Sequence, residues 1–194
     1  MVTGDLIFTQ IGSPDNAISS VTEGYGGARV NHVGMLVETQ LGKFVLEAFP
    51  PEVRLTHIHV YLNRSRWEGG GHRYIGARLK AQHRDLIEGA LAYGMQQRDV
   101  PYDARYLPDE SALYCSELIV DMFKHASGGV FFPESPMDFR DIATGEVHPA
   151  WVDYYGYFGM PVPEGKAGSN PGDMSKDEKL EVYHVSSNLT GLSI

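Results

Sequence analysis

The chain contains one cysteine, Cys115, among 194 residues. A single thiol excludes an internal disulfide and any zinc site built from several cysteines. The fold must therefore be held by side-chain packing, and the thiol itself is free for chemistry. The cysteine opens a helix-like stretch, Tyr114-Cys115-Ser116-Glu117-Leu118-Ile119-Val120-Asp121-Met122-Phe123. A cysteine at a helix start feels the positive end of the helix dipole and unpaired N–H groups, which favour thiolate over thiol and can hold a developing oxyanion. The alternative is a small buried hydrophobe, the common state of a free cysteine.

Hydrophobic residues make up 42% of the chain and no apolar run approaches the length of a membrane span. This is the composition of a globular protein, and its length fits one domain over residues 1–194. The net charge of −9 argues against nucleic acid and anionic lipid as partners, because both are bound through clustered Lys and Arg. Met1-Val2-Thr3-Gly4-Asp5 runs directly into a strand pattern without a signal peptide. That leaves the compartment open, the cell envelope included for a mature chain. Oligomeric state is not legible.

Strand patterns are expected at Gly4–Thr9, Val33–Val37, Phe44–Ala48, Val53–Leu55, His72–Leu79 and Leu180–Val185. Helical spacing predicts a helix in Pro14–Thr22, with Asp15 as its cap, a long one over 82–97, and the cysteine helix closed by Gly128-Gly129. Pro50-Pro51 is expected to break the sheet and Ile58–Leu62 to form a short helix or an extended piece. Residues 130–160, with Trp151, Tyr154, Tyr155, Tyr157 and Phe158, read as a covering segment. If that cluster lines a cleft, it suits an apolar or acyl group. Residues 161–178, rich in Pro, Gly and charge, read as a surface loop.

His32 opens the apolar run Val33-Gly34-Met35-Leu36-Val37, and Glu47 interrupts the run Val45-Leu46-Glu47-Ala48. On adjacent antiparallel strands Glu47 can accept one ring N–H of His32, leaving the other nitrogen to act as base toward Cys115. Each has a plain alternative: a strand-end histidine facing solvent, and an outward-facing glutamate. His57 and His59 would share a strand face but lack further ligands, so no metal site is expected.

Gly4-Asp5-Leu6-Ile7-Phe8, Asn31-His32-Val33-Gly34-Met35 and Tyr114-Cys115-Ser116-Glu117-Leu118 together resemble the motifs of NlpC-type papain-like cell-wall peptidases. Those enzymes usually place the cysteine helix first. The reversed order here resembles the circularly permuted branch, the permuted papain-like amidases. Pro101-Tyr102 is similar to the Pro-Tyr element ahead of the nucleophile, and the resemblance spans roughly residues 4–125. It implies an α+β papain-like fold, with the cysteine helix packed on a mostly antiparallel sheet or open barrel. It implies a cysteine peptidase or amidase with Cys115 as nucleophile, His32 as base and Glu47 as third member, without a cofactor. Tyr102, and Tyr114 beside the thiol, would line the substrate cleft. The implied substrates are cell-wall peptides or related small amides. The alternatives are a lipid-directed thiol acyltransferase or thioesterase, and a binding module that has kept the fold. Residues 126–194 match less clearly and are expected to supply lid or substrate-side elements and a last strand.

Overall fold

The computed structural model describes residues 1–13, 16–108 and 111–193. Six strands form one antiparallel sheet: β1 (Leu6–Thr9), β2 (His32–Thr39), β3 (Gly42–Phe49), β4 (Glu52–His57), β5 (Tyr74–Leu79) and, last in the chain, Leu180–Val185. Their spatial order is β4, β3, β2, β1, β5, then the last strand, so the sheet is open. The helices are α1 (Ala17–Val21), α2 (Ile58–Asn63), α3 (Leu86–Gln96), α4 (Cys115–Ser127), α5 (Pro149–Tyr157) and α6 (Pro171–Ser175). A two-residue pair, β6 (Ser135–Pro136) with β7 (Ala167–Gly168), makes the last sheet strand β8.

Burial on both sides explains why β3 shows no clean alternation. Val45, Leu46, Glu47 and Ala48 are all buried. Leu46 and Ala48 join the main core with Val33, Met35, Leu118, Ile119, Met122 and Phe123. Val45 joins a smaller cluster with Ile7, Leu36 and Tyr61. There the Tyr61 hydroxyl of α2 donates to Ile7 O at 2.6 Å. Glu47 shares the parity of Val45 and His32 that of Leu36, so both belong to the α2 side. Helix α4 packs its apolar stripe on β2, β3 and α3, and Gly128 ends it in the left-handed conformation, φ 72°.

Gly94 of α3 makes that packing possible. A Cβ there would meet Leu46 Cδ2 at 2.7 Å and Met122 Sδ at 2.8 Å. The glycine that weakens the helix as an isolated segment is thus required where α3, α4 and the sheet approach most closely.

Several boundaries differ from the sequence expectations. The Asp15 cap lies outside the described residues, and the Asn16 side chain caps α1 by accepting Ser19 N at 2.9 Å. The region 82–97 divides into a 3-10 turn at Ala81–His83 and α3. Pro50-Pro51, joined by a cis bond, forms the turn between β3 and β4. The segment 161–178 is not simply a surface loop. It contains α6, whose Gly172, Met174 and Ser175 are buried, and Ser175 Oγ accepts Tyr25 N at 2.9 Å. Its proline starts a helix here, at N1, where no N–H is needed.

Candidate active site

Cys115 is the first residue of α4, following Tyr114 in extended conformation. The Glu117 carboxyl, one turn into the helix, accepts Tyr114 N at 3.2 Å and holds this entry in place. His32 is the first residue of β2 and Glu47 lies near the end of β3. Glu47 is fully buried, which removes the outward-facing reading. Its Oε2 lies 2.5 Å from His32 Nε2. That contact leaves His32 Nδ1 as the ring nitrogen for Cys115.

The electrostatics follow from this packing. Burial disfavours a charged imidazole at His32, but hydrogen bonding and charge from Cys115 and Glu47 outweigh it and raise the pKa to about 9. Burial alone would raise Glu47, yet the hydrogen bond and charge of His32, with the charge of Arg64, hold it below the usual carboxylate range. The stable state at neutral pH is therefore imidazolium beside carboxylate.

Two adjoining cavities meet at this point. The larger, about 650 Å³, includes His32, Phe49, Pro50, Tyr102, Tyr106 and Trp151 in its walls. Among the described residues, no Asp, Glu, Lys or Arg side chain lines it. The smaller, about 80 Å³, carries Tyr114, Cys115, Ser116 and Ser169. Ile18, Asn31, Tyr102, Tyr106 and Trp151 border both. Cys115 is only 5% exposed and packs with the core, but it also forms part of the smaller cavity wall. It is both a packed residue and one that a ligand can reach.

Tyr102 borders both cavities and Tyr114 the smaller one, where the Tyr114 hydroxyl accepts Ser169 N at 3.0 Å. Burial pushes the hydroxyls of Tyr102, Tyr106 and Tyr114 upward, so all three remain neutral. Helix α5 roofs the larger cavity with Ala150, Trp151 and Tyr154. It is tied down by Trp151 Nε1 donating to Ala17 O at 3.1 Å and by the Tyr154 hydroxyl donating to Ala104 O at 2.5 Å.

Sequence reading missed Arg64, Phe49, Tyr61, Asn31 and Tyr106. Arg64 Nη2 donates to Glu47 Oε1 at 2.5 Å. Asn31 fixes the chain ahead of His32, its Oδ1 accepting Ile11 N at 2.8 Å and its Nδ2 donating to Ile11 O at 2.9 Å. Tyr106 has φ 53°, uncommon for a non-glycine residue and a cue only the structure supplies. Asn31 alone left a trace in the sequence, as the residue preceding the histidine.

The fold matches the crystal structure of the metalloprotein yiiX from Escherichia coli O157:H7 with a TM-score of 0.76. The two chains are 21% identical over 95% of this chain and 97% of that one. Among the described residues, no group of three or more His, Cys, Asp or Glu side chains could hold a metal ion. The His57 and His59 rings lie 5.2 Å apart and tilted by 35°, and His57 Nδ1 already accepts His59 N. No curated protein matches the chain. Among the described residues no helix is long and apolar enough to cross a membrane. A family model described as "permuted papain-like amidase enzyme, YaeF/YiiX, C92 family" matches residues 1–183. With the cysteine helix following the histidine strand on an antiparallel sheet, and that match covering nearly its whole length, the chain belongs to the C92 family of permuted papain-like amidases.

Proposed function

We propose that residues 1–194 act as one cysteine hydrolase domain that cleaves an amide bond through Cys115, His32 and Glu47, on a substrate carrying an apolar group. The observation that carries this reading is the imidazole of His32, gripped by Glu47 at 2.5 Å and raised in pKa by Cys115 at the junction of two cavities.

The Cys115 thiolate attacks the amide carbonyl carbon. A C–S bond forms, and the carbonyl electron pair moves to oxygen, facing the N–H groups at the start of α4. Collapse breaks the C–N bond while the His32 imidazolium gives its proton to the leaving amine. Neutral His32 then takes a proton from water as it attacks the thioester, releasing the acid and restoring the thiolate–imidazolium pair. Glu47 holds the ring in place throughout and stabilises its charge whenever it is protonated.

The walls bear on substrate class. Among the described residues His32 is the one charged side chain in the wall of the larger cavity, at its catalytic end, and the aromatic rings of Phe49, Tyr102, Tyr106, Trp151 and Tyr154 suit an apolar acyl or aromatic group. Cell-wall peptides, with charged ends, would leave those charges without partners there. The same observation favours a second reading, a lipid-directed thioesterase or acyltransferase.

The test is labelling with iodoacetamide, followed by a panel of N-acyl amides, acyl thioesters and cell-wall peptides. Labelling is expected to vanish in Cys115→Ala, and turnover to favour apolar amides. Labelling that persists in Cys115→Ala would refute the nucleophile. Faster turnover of charged peptides would refute the substrate class, and thioester-only activity would favour the second reading.

A further inference from the structure

The Glu47 carboxylate meets an imidazole at one oxygen and a guanidinium at the other, and the Thr56 side chain also favours its charged form. Oε2 serves His32 Nε2 and Oε1 receives Arg64 Nη2, each at 2.5 Å. Arg64 immediately follows α2. Its guanidinium lies 3.9 Å from the Phe49 ring centre and 5.1 Å from that of Tyr61. The His32 ring packs against the same two residues, at 5.4 and 5.5 Å. One aromatic box thus holds the cation and the imidazole on either side of a single buried carboxylate.

We propose that Arg64 is a positioning residue of this site, pinning Glu47 so that its second oxygen meets His32. The proposal rests on the Cys115–His32–Glu47 reading above. Three observations separate this role from ordinary surface pairing. First, Arg64 Nε and Nη1 are buried without a hydrogen-bond partner, so its own hydrogen bonding does not explain where it sits. Second, the cation directly across from Glu47 in the sheet is Arg54, and that residue turns away to donate to Pro50 O at 3.1 Å. Third, Arg64 lines neither cavity, so its effect on a substrate must pass through Glu47.

In the reactive form of the proposed triad the charges alternate along the row: Cys115 thiolate, His32 imidazolium, Glu47 carboxylate, Arg64 guanidinium. With Arg64 the row is neutral overall. Without it, a carboxylate with no exposed surface keeps only the histidine as a cationic partner, and the proton shared by that pair moves toward Glu47. The imidazolium that supports the thiolate is then lost. The charged or titratable groups facing Glu47 are His32 from β2, Arg54 from β4, Tyr61 from α2, Arg64, and Cys115 of α4 beyond the imidazole.

The test is the rate of Cys115 alkylation by iodoacetamide from pH 5 to 10 in wild type, Arg64→Met, Arg64→Gln, Arg64→Lys and His32→Ala, with folding checked by near-UV circular dichroism. Wild type is expected to stay reactive into the acid range. Arg64→Met should be roughly tenfold slower near pH 6 and within about twofold at pH 10, where the thiolate forms without help from the imidazole. Arg64→Lys should restore most of the rate and Arg64→Gln only part of it. Arg64→Met tracking wild type, or slowed equally at every pH, overturns the positioning role. If Arg64→Met does not fold, equal rates for Arg64→Gln and Arg64→Lys overturn it. A wild-type profile identical to that of His32→Ala overturns the triad itself, whatever the Arg64 variants do.

Discussion

Glu47 reaches His32 diagonally across the β2–β3 ladder, not from the facing position. The ladder pairs Met35 with Leu46, and continuing it sets Gly34 opposite Glu47. A Cβ on Gly34 would stand 2.4 Å from Val45 Cγ1 and 3.2 Å from Glu47 Cβ. The glycine of the His-Val-Gly motif therefore clears the space over which the carboxylate leans toward the ring. The interaction is a property of three residues on two strands.

Activity should report this contact through pH. His32 keeps its proton up to about 9, so kcat/KM is expected to fall on the basic side near that value. Glu47→Gln removes the carboxylate charge that helps hold the proton, so its basic limb should move toward the ordinary histidine value of ~6.5. A pH–rate profile of the two proteins checks this. An unmoved basic limb in Glu47→Gln would contradict the pairing.

Stability should fall from pH 6 to pH 9. His32 has a raised pKa in the folded state, so its contribution is complete below 6.5 and is lost as pH rises through about 9. Glu117 acts in the same direction. Burial, with the charges of Asp121, Asp103 and Glu134, raises it to about 8, so the folded state holds a proton that the unfolded chain releases above 4.5. Glu47, whose pKa is lowered, contributes above 4.5 and loses its contribution only in acid, outside this window. Urea denaturation at both pH values measures the fall. Glu117→Gln should reduce it, remaining close to wild type at pH 5 and more stable than wild type at pH 9. Equal slopes in the two proteins would remove Glu117 from the account.

Gly94→Ala sets two effects against each other. In an exposed helix the change stabilises by about 1 kcal/mol. Here the new methyl would overlap Leu46 and Met122 at 2.7 and 2.8 Å. Overpacking of this kind costs about 1–3 kcal/mol. The overlap includes a β3 side chain one residue from Glu47, and it should win. The expected net loss is on the order of 1 kcal/mol in a urea titration, with turnover reduced. A stabilised Gly94→Ala protein would show that α3 shifts without cost.

Ala150→Lys places a cation in the wall of the larger cavity. KM for an apolar amide should rise about tenfold or more, while the alkylation rate of Cys115 stays at the wild-type value. Kinetics on one N-acyl amide and iodoacetamide labelling separate the two effects. An unchanged KM would put the apolar group of the substrate elsewhere.

Much of the site was legible in the sequence because its parts are local. A histidine ahead of an apolar strand and a cysteine ahead of an amphipathic stripe each mark the end of an element, and their order marks the permutation. The bury-both-faces pattern of Val45 to Ala48 hid the side to which Glu47 points. Arg64 was not legible. In sequence Asn63-Arg64-Ser65 fits only the common glycosylation pattern, and the rings of Phe49 and Tyr61 give its guanidinium a seat. The cavity walls come from separate stretches, among them Ile11 and Gly12, Asn16–Ile18, Phe49–Pro51, Tyr102 with Tyr106, and Ala150 with Trp151 and Tyr154, and no periodicity links them. The loop expected over 161–178 illustrates the limit of composition. Proline and glycine there start a helix, and contacts from Glu23 and Tyr25, distant in the chain, bury it.

The strand order has a consequence for biosynthesis. Strands β1 to β5 all precede Cys115, and they occupy five adjacent places in the sheet, with only β8 still to be added at one edge. As the polypeptide leaves the ribosome, the hairpin bearing the histidine and the glutamate is complete before the thiol emerges. The sulfur is thus made late, against a wall able to receive it, whereas a chain with the cysteine helix first would expose it before that wall exists.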